Sequence, residues 1–185
     1  MSYLKFEKAL MTNLQESLPK ELLRTNRSGA YSCSTIVDCN TRKYHGLLVV
    51  PVPELDDENH VLLSSLDVTV IQHGAEFNLG LHKYQGNNYS PMGHKYIREF
   101  DCDKVPTTLY RVGGVILKKE VVFQHYENRI LIRYTLVDGT EEKTVDLVLC
   151  DEHFALTQEA GLSIKVPFLV WQVVEDDADA VGAIR

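Results

Sequence analysis

The densest run of groups able to do chemistry in this 185-residue chain lies between positions 26 and 46. It reads Asn26-Arg27-Ser28-Gly29-Ala30-Tyr31-Ser32-Cys33-Ser34-Thr35-Ile36-Val37-Asp38-Cys39-Asn40-Thr41-Arg42-Lys43-Tyr44-His45-Gly46 and leads straight into the apolar run Leu47-Leu48-Val49-Val50. Polar groups at a strand entrance can be held rigidly and pointed at a ligand. The chemistry on offer is that of sugar contact, in which polar side chains bond adjacent hydroxyls and aromatic faces cover the C–H face of the ring. Asn40, Arg42, Tyr44, His45 and Tyr31 supply both kinds of group. The same residues have a structural use. Arg42 can pair with a carboxylate, and Tyr44 and His45 can complete a buried polar network. Residue type alone weighs toward that second use, and both stand open at this point.

No catalytic residue is assigned. Glycoside hydrolysis usually takes two carboxylates flanking the scissile bond. Asp67, Glu76, Glu99, Asp151 and Glu152 are the candidates, but none sits where a raised pKa or a facing partner is expected, and acidic side chains are mostly exposed. His82-Lys83-Tyr84 and His94-Lys95-Tyr96 repeat twelve residues apart without metal-ligand spacing. Tyr84, Tyr89 and Tyr96 suit stacking or, more often, core packing. Cys33, Cys39, Cys102 and Cys150 contain no C-x-x-C pair and read as free, mostly buried thiols, so no metal is expected. With no G-x-S-x-G, P-loop or G-x-G-x-x-G string, neither a serine nucleophile nor a nucleotide cofactor is expected.

Composition narrows the partners. The formal charge of −7 disfavours nucleic acid, and scattered Lys and Arg disfavour anionic lipid. No apolar stretch reaches the length of a membrane span. Met1-Ser2-Tyr3-Leu4-Lys5-Phe6-Glu7 lacks the apolar stretch of a secretory leader, so a cytoplasmic location is expected.

The elements that must position these groups are mainly strands. Residues 10–24 have short helical character, with Asn13 or Ser17 as cap and Pro19 in a first turn. Apolar or β-branched runs then follow at 47–50, 61–63, 68–71, 112–117 and 120–124. Gly113-Gly114 inside one of them reads as a bulge or close approach. Ile130, Ile132, Tyr134 and Leu136 alternate with Leu131, Arg133 and Thr135, the pattern of a strand with two unlike faces. Residues 126–129 form the turn of a hairpin before that strand. Glu54-Leu55-Asp56-Asp57-Glu58-Asn59 is a solvated connection, and residues 78–106 are a long loop or irregular strand pair. About seven or eight strands arranged as an antiparallel sandwich are expected.

Longer strings carry a resemblance. Arg24-Thr25-Asn26-Arg27-Ser28-Gly29-Ala30-Tyr31 and Cys39-Asn40-Thr41-Arg42-Lys43-Tyr44-His45-Gly46-Leu47-Leu48-Val49 resemble the N-terminal domain of the bacterial and archaeal type of glycogen debranching enzyme. So do Val61-Leu62-Leu63-Ser64-Ser65-Leu66-Asp67, Phe77-Asn78-Leu79-Gly80, Gly93-His94-Lys95-Tyr96-Ile97, Tyr110-Arg111-Val112-Gly113-Gly114 and Arg133-Tyr134-Thr135-Leu136. The resemblance implies a β-supersandwich similar to galactose mutarotase. It also implies a role packing on, and shaping the substrate cleft of, a C-terminal (α/α)6 barrel that hydrolyses α-1,6 branch points. That barrel carries the catalytic carboxylates, so this chain alone is expected to be no enzyme.

The resemblance covers most of the chain up to Gly139. The expected division is a sandwich domain at 1–140 and a divergent tail at 141–185, with the gene truncated or its frame shifted near Gly139. Thr144-Val145-Asp146-Leu147-Val148-Leu149-Cys150-Asp151-Glu152-His153-Phe154 replaces the family's usual continuation, and Pro167-Phe168-Leu169 is a faint echo of it. An incomplete sandwich would expose strand edges, so self-association is expected. The expected partners are an α-glucan, either glycogen or a maltooligosaccharide, and the barrel. The alternatives are a stand-alone glucan-binding module, a scaffold without ligand, and a mutarotase-like sugar enzyme.

Overall fold

The structure, a computed structural model, describes residues 4–72, 74–138, 146–150 and 170–175. The chain opens with β1 (Lys5–Glu7) and two single helical turns, α1 (Lys8–Met11) and α2 (Leu14–Ser17). Asn13 caps α2, its side-chain oxygen accepting from the Gln15 backbone N–H at 3.1 Å. The helix predicted over 10–24 goes no further. Pro19 has no N–H with which to extend the ladder, and Glu21–Thr25 forms β2 with alternating exposure.

β2, β3 (Tyr31–Thr35), β4 (Gly46–Pro51) and β5 (Asn59–Leu63) make a four-stranded antiparallel sheet in that order. The acidic connection between β4 and β5 is exposed, as expected of a charged loop. β6 (Asp67–Gln72) and β7 (Ala75–Asn78) form a hairpin. The expected irregular strand pair is β8 (His82–Tyr84) with β9 (Asn88–Ser90). β10 (Ile97–Asp101), β11 (Thr107–Val112), β12 (Val115–Phe123) and β13 (Ile130–Asp138) then run as a meander. β14 (Asp146–Cys150) pairs antiparallel with β6, and β15 (Val170–Glu175) pairs parallel with β13. The larger sheet has the order β1-β10-β11-β12-β13-β15. Asp151, Glu152 and residues 167–169 lie outside the described residues. Among the described residues no helix is long and apolar enough to cross a membrane.

Gly113-Gly114 is not a bulge. Their φ values of 56° and 88° make the two-residue turn between β11 and β12, a geometry that needs left-handed backbone at both positions. The next hairpin is as predicted, with the Gln124 N–H donating to the Arg129 carbonyl at 3.0 Å. β13 keeps its two faces. Ile130, Ile132 and Tyr134 are buried, while Arg133 reaches out to Glu120 at 2.8 Å. One apolar core joins the sheets, drawing Leu47, Leu48 and Leu63 from the four-stranded sheet and Val68 and Val70 from β6. Ile97, Phe100, Leu117 and Ile132 of the larger sheet meet them there. The architecture is that of a mainly antiparallel, β-sandwich-like domain.

One charge lies inside that core. Val115 and Leu117 mark the inward positions of β12, and the next inward position is Lys119, which is 5% exposed. Its Nζ reaches Asp38 Oδ2 at 2.7 Å across the gap between sheets, with the Tyr110 hydroxyl 3.5 Å from the same oxygen. Burial alone would pull the ammonium's pKa down, but the Asp38 carboxylate more than offsets this and the pKa ends above its ordinary value. The neighbouring phenol of Tyr134 is pushed up to about 12, first by burial.

Two outcomes follow. Lys119→Met leaves Asp38 without its cation. Urea denaturation should show a loss of about 2 kcal/mol, less than for a fully buried pair because Asp38 keeps some solvent. His94 is 2% exposed and its Nδ1 has no hydrogen-bond partner. Burial, then Lys95, depresses its pKa, so the unfolded chain binds the proton first. This contribution is fully present above about pH 6.5 and is lost as pH falls toward the lower native value. The fall in stability between about pH 7 and 5 should therefore be shallower in His94→Gln than in the parent, measured by urea titration at each pH.

Candidate functional site

β2 and β3 pair with Leu23 opposite Cys33 and Thr25 opposite Tyr31, so these four share one face of the four-stranded sheet. The intervening residues Leu22, Ser32 and Ser34 face inward, toward Lys119 and Phe100. The outer face is the floor of an open groove of about 700 Å³. Two walls complete its lining, one from Arg27, Gly29 and Ala30 of the β2–β3 turn and one from Arg42, Lys43, Tyr44 and His45. The size lies within the range of small-ligand sites.

Both walls are built rigidly. Asn26 is fully buried, and its side-chain oxygen accepts from the N–H groups of Ser28 and Ala30 at 2.9 and 3.1 Å. Its amide nitrogen donates to the Glu127 carbonyl and to Asn128 Oδ1, both at 3.1 Å. The turn is thereby anchored to the β12–β13 hairpin. The second wall grows from a loop closed by Thr35, whose Oγ1 donates to the Cys39 carbonyl at 3.0 Å and accepts the Cys39 N–H at 2.9 Å. Asp38 within that loop takes the left-handed conformation, φ 57°, and is held by Lys119.

His45 is 4% exposed and ties this wall down. Its Nδ1 accepts the Thr41 N–H at 3.1 Å. Its Nε2 lies 3.2 Å from Glu21 Oε1. Arg42 pairs with the other oxygen of Glu21 through Nη2. The Arg42 Nε–H also donates to His45 Nε2 at 3.2 Å, so the two side chains are tied to each other as well as to Glu21. The structural use of Arg42 and His45 is thus real, and Glu21 is the carboxylate concerned. Tyr44 remains 50% exposed, with Lys43 Nζ 5.1 Å from its ring centroid. The Tyr31 hydroxyl donates to the Tyr44 carbonyl at 3.3 Å, and burial raises its pKa.

Of the residues predicted from the sequence, Tyr31, Arg42, Tyr44 and His45 meet at the groove. Asn40 does not reach it. Its amide donates to the Ser64 carbonyl at 2.8 Å and its oxygen accepts from Ser34 Oγ at 2.8 Å, turning it inward as a tie between β3 and the β5–β6 connection. Three further features came only from the fold: Glu21, Leu23 on the groove floor, and the Lys119–Asp38 pair. A usable signal existed for Lys119 alone, a charge at an inward position of an alternating strand. Of the carboxylates considered, Glu99 pairs with Lys5 at 2.8 Å, Glu76 is exposed, and Asp67 pairs with His82 at 2.7 Å.

Glu21, Cys33 and His45 place possible metal-ligand atoms within 4.8 Å of one another. Their chemistry does not suit a metal. A ligating imidazole donates through its other nitrogen, whereas Nδ1 here accepts a backbone N–H. The Arg42 guanidinium already neutralises Glu21, and burial with the Glu21 charge raises the Cys33 thiol pKa. Cys39 is fully buried, and burial pushes its pKa up to about 11. Both behave as packed, unreactive thiols.

The fold and site together define a β-sandwich-like domain with an open aromatic groove on one sheet. The family model for the glycogen debranching enzyme N terminal matches residues 20–154, so the chain belongs to that family. The match includes the whole groove and continues past Gly139. No curated protein and no solved structure matches the chain at a significant level.

Gly46 sets how closely the second wall approaches the sheet. A Cβ there would lie 2.9 Å from Val61 Cγ1 and 3.0 Å from Val49 Cγ2. Gly46→Ala should cost about 1–3 kcal/mol by overpacking, read from thermal or urea unfolding.

Proposed function

We propose that this domain holds α-glucan in the groove and forms one wall of the substrate cleft of a debranching enzyme. The hydrolysis of α-1,6 branch points belongs to an (α/α)6 barrel against which the domain packs. The supporting observation is the convergence on one groove of Tyr31, Tyr44, Arg42 and His45, within a chain of the debranching N-terminal family. Tyr44 offers a half-exposed ring on one wall and Tyr31 an aromatic ring on the floor, the flat apolar surface that a sugar's C–H face needs. Arg42 lies beside them with unpaired N–H groups for hydroxyls.

The groove supports binding rather than bond cleavage. Hydrolysis takes an acid and a base or nucleophile, and among the described residues no carboxylate lines the groove. Glu21 at its edge already holds Arg42 and His45.

Affinity electrophoresis in glycogen tests the reading. The chain should be retarded, and Tyr44→Ala should weaken binding about tenfold while leaving the unfolding midpoint unchanged, because the ring is an exposed anchor. Equal mobility of parent and variant, with or without retardation, would remove the groove from glucan binding.

A further inference from the structure

The groove carries a charge that neutral glucan does not explain. Arg27, Arg42 and Lys43 line it together, and neither Asp nor Glu does. The chain as a whole is the opposite, with 26 acidic against 19 basic side chains. Neither Arg27 nor Lys43 has an ion-pair partner among the described residues. Arg42 spends Nη2 on Glu21 and Nε on His45, and its side chain stays 63% exposed.

The backbone that carries two of these cations is fixed. Arg27 sits at φ 66°, in a turn fixed by the buried Asn26. Lys43 lies over the Tyr44 ring. The two cannot neutralise each other, and both line one groove.

Guanidinium and ammonium groups donate hydrogen bonds and accept none. A sugar hydroxyl both donates and accepts, so a rim of donors satisfies its oxygen but leaves its own O–H without an acceptor. A phosphate monoester carries about −1.5 to −2 charges at neutral pH and three acceptor oxygens, and complements such a rim well.

We propose that the groove binds a hexose bearing a phosphate monoester, with Tyr44 and Tyr31 against the sugar and Arg27, Lys43 and Arg42 around the phosphate. The phosphate is carried on a glucan chain, so the proposal rests on the glucan reading of the same groove. A free sugar phosphate shares the chemistry, and the test separates the two.

The intact chain is titrated by calorimetry with maltoheptaose, with maltoheptaose bearing one 6-phosphate, and with glucose 6-phosphate. At low salt the phosphorylated chain should bind about tenfold or more tighter than the neutral one. The advantage should collapse near 1 M salt, where the screening length is about 3 Å. In the double variant Arg27→Gln/Lys43→Gln the two chains should bind within about twofold of each other. Unchanged affinity for the neutral chain in that variant shows that the groove is still folded. Equal affinity of the parent protein for both chains overturns the phosphate proposal and leaves the glucan reading standing. Glucose 6-phosphate binding as tightly as the phosphorylated chain keeps the phosphate site and overturns the glucan reading. Binding by none of the three overturns both.

Discussion

The groove depends on one buried contact, the ion pair between Lys119 on β12 and Asp38 in the loop leading to β4. It crosses the interior from the larger sheet to the smaller one. A pair with one end buried and the other partly in water is costly to form and costly to break, chiefly because Lys119 alone is an uncompensated buried charge. It is therefore better understood as fixing a conformation than as adding stability. The conformation it fixes is the left-handed turn at Asp38, and with it the direction of the segment that carries Arg42, Tyr44 and His45.

From that point the segment is held on two sides. On the inside Asn40 bonds Ser34 and Ser64, and Gly46 lets β4 lie against Val61. On the outside His45 and Arg42 converge on Glu21, which is brought to them by the pairing of β2 with β3. Most polar groups in the segment are consumed by these ties. What they leave over is the Tyr44 ring, the Lys43 ammonium and the far side of Arg42, all facing the groove. Structural duty and exposure to the groove are thus divided between neighbouring residues.

Features set by local pattern were legible in the sequence. The two faces of β13 followed from strict alternation, and the Asn13 cap from residue type. Four groove residues could be named because sugar-contacting types cluster at a strand entrance. Asn40 could not be sorted from them, since the same amide serves a ligand or a backbone carbonyl equally well. Glu21 was out of reach because it meets Arg42 only through the register of β2, β3 and β4. The short helical segment expected within 10–24 is present in α1 and α2 but stops before 24, where Pro19 ends the hydrogen-bond ladder and β3 recruits Glu21–Thr25 as an edge strand. At Gly113-Gly114 the expected close approach is present, a Cβ on Gly113 running into Gln72 Oε1, but the bulge is a tight turn, which only the pairing of β11 with β12 decides.

The central claim is that this outer sheet face is a glucan-binding groove. Proton NMR of the intact chain titrated with maltoheptaose examines it most directly. The ring resonances of Tyr31 and Tyr44 and the methyl of Ala30 should shift progressively and saturate, while the ring of buried Tyr134 stays fixed. Shifts confined to the rings of Tyr84 and Tyr89, or no shifts at all, would contradict it.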